Sequence, residues 1–419
     1  AKGEISAFAL TESDVGSDPA RMKTTATPTD DGLAYILRGE KLWCTNVIRA
    51  KLLVVMARVP GKGITAFIVE ADSPGVEIVR RCHFMGLRAL YNGVVRFDRV
   101  RVPRENIILG EGRGLKVALA TLNTGRITLP AGCTGAAKRC LEITRDWANE
   151  REQWGNPIGK HAAIADKIAR MAADTYAIES MTLLVSAMVD ANKFADIRIE
   201  AAMAKLWGTE RTWRIIDDTM QIRGGRGYET AASLRARGEK PEPVERFMRD
   251  ARINTIFEGS SEIMRLFIAR EALDPHLKIG APVLNTTLPI RARLQAALRA
   301  GWYYARWYPR QWMPRPFGKT RALRLVDRLS RKLARSLFHS MLRHGPKLDR
   351  QQVLLGRYVD IATELFAITA VNARGGEPEL AKLFTESAQL RIAELFRAIR
   401  NNTDARGYKL AQRVLKNHR

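Results

Sequence analysis

The sequence predicts an α+β protein: an antiparallel β barrel or sandwich, then an α-helical bundle, then a second, basic α-helical domain. Three observations carry that reading. Residues 1–110 hold short apolar and β-branched runs punctuated by Gly, Pro and Asp, with no helical pattern between them. At Gly114 the pattern switches to long Ala-, Leu-, Ile- and Met-rich stretches with a 3.6-residue period. From residue 275 onward 28 Lys and Arg face only 9 Asp and Glu, which carries most of the net charge of +25.

The runs 35–37, 52–57, 65–69, 76–79 and 94–97 are too short and closely spaced to leave room for the crossover helices of a parallel sheet. They are expected to pair antiparallel in a β domain over 1–113. Helices are expected over 115–149, 162–192 and 196–222, with a shorter one near 261–272, forming a four-helix-type bundle over 114–274. Gly224-Gly225-Arg226-Gly227-Tyr228 interrupts that bundle, and the polar stretch on to Pro243 is expected to be irregular. Three prolines and Gly280 mark 275–289 as a linker. Further helical patterns fill 290–419, at about 290–306, 319–344, 348–373, 378–400 and 404–417.

A chain of 419 residues that is 46% hydrophobic can bury several cores. No window approaches the roughly 18 consecutive apolar residues of a spanning helix. Cys44, Cys82, Cys133 and Cys140 form no CxxC pair and read as reduced thiols, which favours an intracellular protein. The six histidines stand at no ligand spacing, so no metal is expected. The chain opens at Ala1 with neither a start methionine nor a visible leader, and is read as a piece of a longer protein.

Chemistry concentrates in three places. Phe8-Ala-Leu10-Thr11-Glu12-Ser-Asp-Val-Gly16-Ser17-Asp18 gathers hydroxyls, small residues and acids directly after a strand. Such a stretch is either a plain polar turn or a cradle for phosphate or ring carbonyls. In Lys41-Leu-Trp43-Cys-Thr45-Asn46, strand alternation puts Trp43 and Thr45 on one face. Trp43 then either covers a flat ring with Thr45 at its edge, or is an ordinary core tryptophan. In Ile256-Phe257-Glu258-Gly259-Ser260-Ser261-Glu262, Glu258 interrupts an apolar run just before a serine N-cap. It is either a helix-start acid or a desolvated general base.

These three elements, with Arg151-Glu-Gln153-Trp154-Gly155 and Gln221-Ile-Arg-Gly224-Gly225, follow the order and spacing of the acyl-CoA dehydrogenases. The chain resembles that family over 1–273, and the segment beyond resembles the helical extension of its very-long-chain branch. The resemblance implies FAD as cofactor and a long or very long acyl-CoA as substrate. It assigns Leu10, Thr11, Gly16 and Ser17 to the flavin, with Ser17 also on the CoA side. Trp43 matches the aromatic against the isoalloxazine, and Thr45 the hydroxyl donating to its N5. Arg151 and Gln153 match positions reaching the FAD of a neighbouring subunit, Trp154 beside them is assigned to the cofactor too, and Gln221, Gly224 and Gly225 match the loop near its adenine end. Ser260 and Glu262 fall close to the flavin, and Asn123, Arg126, Phe257 and Gly259 beside the substrate. Glu258 matches the catalytic base. Some branches place that base just before the arginine matching Arg126; here the residue is Gly125, which cannot serve.

The resemblance further implies that Glu258 takes the thioester α-proton as the β-hydride passes to the flavin, giving a trans-2-enoyl-CoA. Donors on the thioester carbonyl stabilise the developing enolate, and the electrons go on to an electron-transferring flavoprotein. A homodimer is implied as well. Two departures stand out. The family's N-terminal helical domain has no counterpart in this chain, and 231–240 looks like an insertion that either modifies the adenine end or the dimer contact or, as the preferred reading, is an inert loop.

The basic rear completes the picture. Residues 291–350 hold 16 basic and 2 acidic side chains, with aromatic residues from Trp302 to Trp312 and an apolar stripe of Val326, Leu329, Leu333, Leu337 and Met341. This fits a peripheral segment on anionic lipid, on a bacterial cytoplasmic or mitochondrial matrix face. The bland counterpart is a helical domain packed by its stripe with its basic face in water. Two alternative functions remain: a DNA-binding relative of the same fold, and a non-catalytic assembly scaffold. The aromatic cluster and wide stripe suit lipid better than nucleic acid.

Overall fold

A computed structural model describes residues 3–193, 195–314 and 320–416. The chain divides into two compact units, Ala1–Gly125 with Arg246–Glu258, and Arg126–Glu245 with Gly259–Arg419.

The first unit is built on β1 (Ser6–Ala9), β2 (Thr25–Pro28), β3 (Ala34–Cys44), β4 (Leu52–Val59), β5 (Gly63–Glu70), β6 (Val76–Arg81), β7 (Gly93–Pro103) and β8 (Ile107–Ile108). They form one sheet in the order β6-β7-β3-β2-β4-β5-β8, with β1 added beside β4. The path ends at β6 and β8 without closing, so the sheet is sandwich-like and not a barrel. Pairing is mostly antiparallel, as expected, but β1 and β2 both meet β4 in parallel, at Ser6↔Leu52 and Thr25↔Arg58.

Strand β4 is apolar almost throughout because both of its faces are covered. Leu53, Val55 and Ala57 join Leu37, Phe67 and Phe97 in one core, while Met56 joins Val15, Met22, Ala66 and Ala118 in another. Burying a side chain such as Phe67 or Leu53 contributes about 2–3 kcal/mol. Gly39, at φ 147°, is required where β3 passes β2: a Cβ there would sit 2.5 Å from Thr24 Oγ1.

The helices begin with α1 (Gly114–Glu150), within which the division between units falls. A hairpin of β9 (Glu152–Gln153) and β10 (Asn156–Pro157) follows, then α2 (Ala162–Ala191), α3 (Arg198–Arg223), α4 (Gly225–Tyr228), α5 (Ala231–Ala236) and α6 (Val244–Ala251). Next come α7 (Ser261–Leu284), α8 (Ile290–Arg310), α9 (Arg321–His344), α10 (Gln352–Arg374), α11 (Pro378–Arg400) and α12 (Asp404–Lys416).

Three expectations fail in the second unit. The 275–289 linker is largely helix, because α7 continues through Pro275 and Pro282 to Leu284. Packing of α8 along α7 outweighs the backbone bonds that the prolines remove. The stretch before Pro243 is not wholly irregular: Thr230 caps α5 by accepting from Ser233 N–H, and Leu234 is fully buried. Nor is 290–419 a separate body. Leu206 of α3, Met264 and Ile268 of α7, and Leu355 and Tyr358 of α10 share one core, on which Leu333, Leu337 and Met341 of α9 pack.

The apolar stripe of α9 is therefore spent on this core and not on a lipid surface. The aromatic cluster is also partly internal: Tyr304, Trp307 and Tyr308 of α8 all pack against Phe338 of α9. A buried ionic cluster ties the same helices together. Glu364 of α10 accepts from Arg211 and Trp207 of α3 and from Arg391 of α11. Burial pushes the Glu364 carboxyl up, but the hydrogen bonds and charges of Arg391 and Arg211 hold it below the usual carboxylate range. No described helix is long and apolar enough to cross a membrane.

Candidate functional site

In the first unit the polar turn after β1 is anchored from within. Glu12 and Val15 exchange two backbone hydrogen bonds, and Leu42 N–H donates to the Thr11 carbonyl. Lys41 of β3, with no exposed surface, donates from Nζ to Glu12 Oε1 at 2.8 Å and to the Leu10 carbonyl at 3.1 Å. The Glu12 carboxylate also accepts the backbone N–H groups of Lys23 and Thr24. Burial raises the Glu12 carboxyl, yet the bonds from Lys41, Thr24 and Lys23 outweigh it and bring it down to about 2. Glu12 is thus a structural anchor. Leu10 and Thr11 are left half-buried, and Gly16 and Ser17 exposed, beside β3.

Trp43 and Thr45 both reach solvent, though simple strand alternation is not the reason. A bulge between Lys41 and Cys44 breaks the register of β3 on β7, Trp43 takes φ 56°, and Thr45 lies in the turn beyond the strand. Trp43 is 56% exposed, so it is no core tryptophan. The Thr45 hydroxyl donates to Asn92 Oδ1 at 2.8 Å.

Glu258 belongs to this unit because its segment is clamped there. Asp250 accepts the backbone N–H of Leu87 at 2.7 Å, and Arg249 donates to the Met85 carbonyl. Gly86 lies so close that a Cβ would meet the Arg249 carbonyl oxygen at 2.2 Å. Glu258 then takes φ 55°, a left-handed conformation unusual for glutamate, and its carboxylate lies against Gly125. A Cβ at Gly125 would sit 3.1 Å from the Glu258 carboxyl carbon. Phe257 and Asn123 are half-buried in the same unit.

The other expected residues fall in the second unit. The Arg126 guanidinium lies 5.0 Å from the Phe267 ring centroid. Fully buried Lys205 donates to the Gly259 carbonyl at 2.7 Å. Ser260 caps α7 by accepting from Ile263 N–H, as the sequence predicts, and exposed Glu262 sits in its first turn. The β9–β10 hairpin carries Arg151 and Gln153, with Trp154 and Gly155 both at positive φ on its tip. Trp154 is 88% exposed. Gln221, Gly224 and Gly225 are exposed at the end of α3, with open space where either glycine's Cβ would be. The insertion is tied to its surroundings by the Arg226–Glu239 and Arg237–Glu229 pairs.

Sequence reasoning missed Glu12, Lys41, Asn92, Asp250 and Lys205. One signal was present for Lys41: it shares strand parity with inward-facing Tyr35 and Leu37, and a charge at such a position demands a buried partner.

Residues 7–100 match the family model of the acyl-CoA dehydrogenase middle domain, and residues 112–273 that of the acyl-CoA dehydrogenase C-terminal domain. The probable acyl-CoA dehydrogenase FadE10 of Mycobacterium tuberculosis is 53% identical over 99% of this chain and 68% of its own length. The very long-chain specific mitochondrial acyl-CoA dehydrogenase of Homo sapiens is 34% identical over 89% of this chain and 58% of its own length. A Bacillus anthracis acyl-CoA dehydrogenase solved in complex with FAD superposes with a TM-score of 0.76 at 29% identity, covering 99% of this chain and 72% of that one.

The depressed Glu12 carboxyl makes a pH prediction. A folded value of about 2 against an ordinary 4.5 means that its stabilisation is complete above pH 4.5 and is lost as pH falls toward 2. Urea unfolding is expected to show Glu12→Gln less stable by about 3 kcal/mol at pH 7, with the gap closing through that window. A gap independent of pH would contradict the assignment.

Proposed function

Because the chain belongs to the acyl-CoA dehydrogenase family of FAD-dependent oxidoreductases, we propose that it carries out α,β-dehydrogenation of long or very long acyl-CoA, with Glu258 as base. The observation that carries this is the Glu258 carboxylate, held at a strained backbone position against a glycine, in the unit that exposes Trp43 and Thr45. The residues fit the cofactor. A flat ring needs an apolar face and hydrogen-bonding groups at its edge, and Trp43, Thr45, Thr11 and Ser17 offer both from one unit.

FAD supplies the hydride acceptor. The rest falls to the chain. The Trp43 ring covers the cofactor and keeps water from it, and the Thr45 hydroxyl fixes its edge. Glu258 takes the proton α to the thioester, a task beyond a solvated carboxylate, so desolvation by Phe257 and the bound acyl chain strengthens the base. Gly125 leaves the space that the Glu258 carboxylate itself fills, and a long acyl chain is supported by the name of the human relative, a very long-chain specific enzyme. The electrons pass to an electron-transferring flavoprotein. The exposed hairpin with Arg151, Gln153 and Trp154 supports a homodimer, which sedimentation velocity reads directly; a monomer mass refutes it.

The test is anaerobic mixing of the FAD-loaded protein, made from its complete gene, with palmitoyl-CoA. The flavin band is expected to bleach in wild type and about 10²–10⁴-fold more slowly in Glu258→Gln. Equal bleaching in both would refute Glu258 as the base, and bound flavin left unbleached at every chain length would refute the dehydrogenase reading and favour the scaffold alternative.

A second reading, peripheral attachment to an anionic intracellular membrane face, rests on α8 and not on the stripe of α9. Ile290, Leu294, Leu298 and Trp302 recur every fourth residue and are at least 60% exposed, with Arg291, Arg293, Arg299 and Arg306 on the same helix. Phosphatidylglycerol vesicles are expected to bind the protein, with a salt-resistant part lost in Leu294→Asp/Leu298→Asp. Binding to duplex DNA that collapses with salt, in place of vesicle binding, would put nucleic acid on this surface instead.

A further inference from the structure

We propose that Asn92 is a positioning residue for the Thr45 hydroxyl, deciding whether that hydroxyl presents a hydrogen or a lone pair to the flavin edge. This rests on the reading of Trp43 and Thr45 as the flavin-facing pair.

Asn92 is an amide with only 4% of its surface exposed, and its backbone is held on several sides. Its carbonyl accepts the Cys82 N–H at 2.8 Å. Gly93, next in the chain, pairs with Cys44 of β3, and a Cβ there would lie 2.9 Å from both the Arg80 carbonyl oxygen and the Val47 side chain. Tyr91, on the other side, is gripped by the Arg49 and Arg81 guanidiniums, 4.7 and 4.5 Å from its ring centroid. With the backbone pinned, the freedom that remains is rotation of the side-chain amide.

A threonine hydroxyl has one hydrogen and two lone pairs. In this structure that hydrogen goes to Asn92 Oδ1 at 2.8 Å, so Thr45 offers lone-pair density outward. A half-turn of the amide presents Nδ2–H instead, which donates to Thr45 Oγ1 and turns the threonine hydrogen outward. The pair can thus meet an acceptor or a donor from one fixed backbone. A ring nitrogen that accepts a hydrogen bond before taking up a hydride, and donates one afterwards, needs a partner of this kind. An apolar residue at position 92 would leave the hydroxyl free to swing off the flavin edge and weaken its bond there, and an acceptor-only residue would lock it turned away.

The test uses protein made from the complete gene and loaded with FAD carrying ¹⁵N at N5. The N5 resonance of the oxidised state reports the hydrogen bond directly and does not depend on turnover. Asn92→Asp, acceptor only, is expected to bind FAD within threefold of wild type and to move the resonance in the direction of Thr45→Val. Flavin reduction by acyl-CoA is expected to slow about five- to tenfold. The double variant Asn92→Asp/Thr45→Val is expected to match Thr45→Val alone. Should the carboxylate unsettle the fold, Asn92→Ala is read the same way: it must move the resonance while Thr45 is present and leave it unmoved when position 45 is valine. An unmoved resonance in the Asn92 variants, or effects that add fully to those of Thr45→Val, would overturn the proposal. Failure of the wild type to bind FAD, or no response to Thr45→Val, would instead overturn the flavin reading beneath it.

Discussion

A lysine with no exposed surface, donating to a glutamate that is 6% exposed, holds the business edge of the first unit together. Lys41 sits two residues before Trp43, and Glu12 follows Thr11. Their ion pair therefore fixes the separation between the two segments that carry Thr11 and Trp43. A buried pair of this kind adds little net stability over apolar replacements, because desolvation consumes most of the attraction. What it imposes is geometry: removing either partner strands the other charge, so the turn cannot slide along β3. The backbone bond from Leu42 to the Thr11 carbonyl sets the same register.

Trp43, Asn46, Trp154 and Glu258 take positive φ without being glycine and lie in motifs that stand out in the sequence, as Leu87, Arg99 and Leu109 do outside them. At Glu258 the surroundings impose the conformation. Asp250 and Arg249 secure the incoming segment, and the Ser260 cap starts α7 two residues later. A glutamate held this way has little choice of direction, and its carboxylate lies against Gly125. In the second unit Lys205 grips the Gly259 carbonyl, so the peptide that follows Gly259 is restrained as well.

Much of this was legible from residue pattern. The long helices declared themselves by period, and the hydroxyl-rich turn, the Trp43–Thr45 pair and Glu258 by residues out of place in their local pattern. What stayed hidden depended on partners far apart in sequence. Strands β2 and β8 are four and two residues long and exist through the neighbours they pair with. The linker was misread because Pro275 and Pro282 break an isolated helix but not one packed along another. The stripe of α9 looked lipid-facing because sequence gives amphipathicity without naming the partner; Leu206, Met264 and Leu355 turned out to be that partner. Asn92 left no signal at all, since an asparagine before a glycine reads as a turn.

The central claim is that the exposed face of Trp43, with Thr45 at its edge, receives the flavin ring. Hydroxyl-radical footprinting with mass spectrometry, with and without FAD, tests it most directly. Trp43 is 56% exposed and Trp302 of α8 is 66% exposed, so both are expected to oxidise readily in the free protein. Saturating FAD is expected to protect Trp43 severalfold while leaving Trp302 unchanged. Equal oxidation of Trp43 with and without bound FAD would contradict the account.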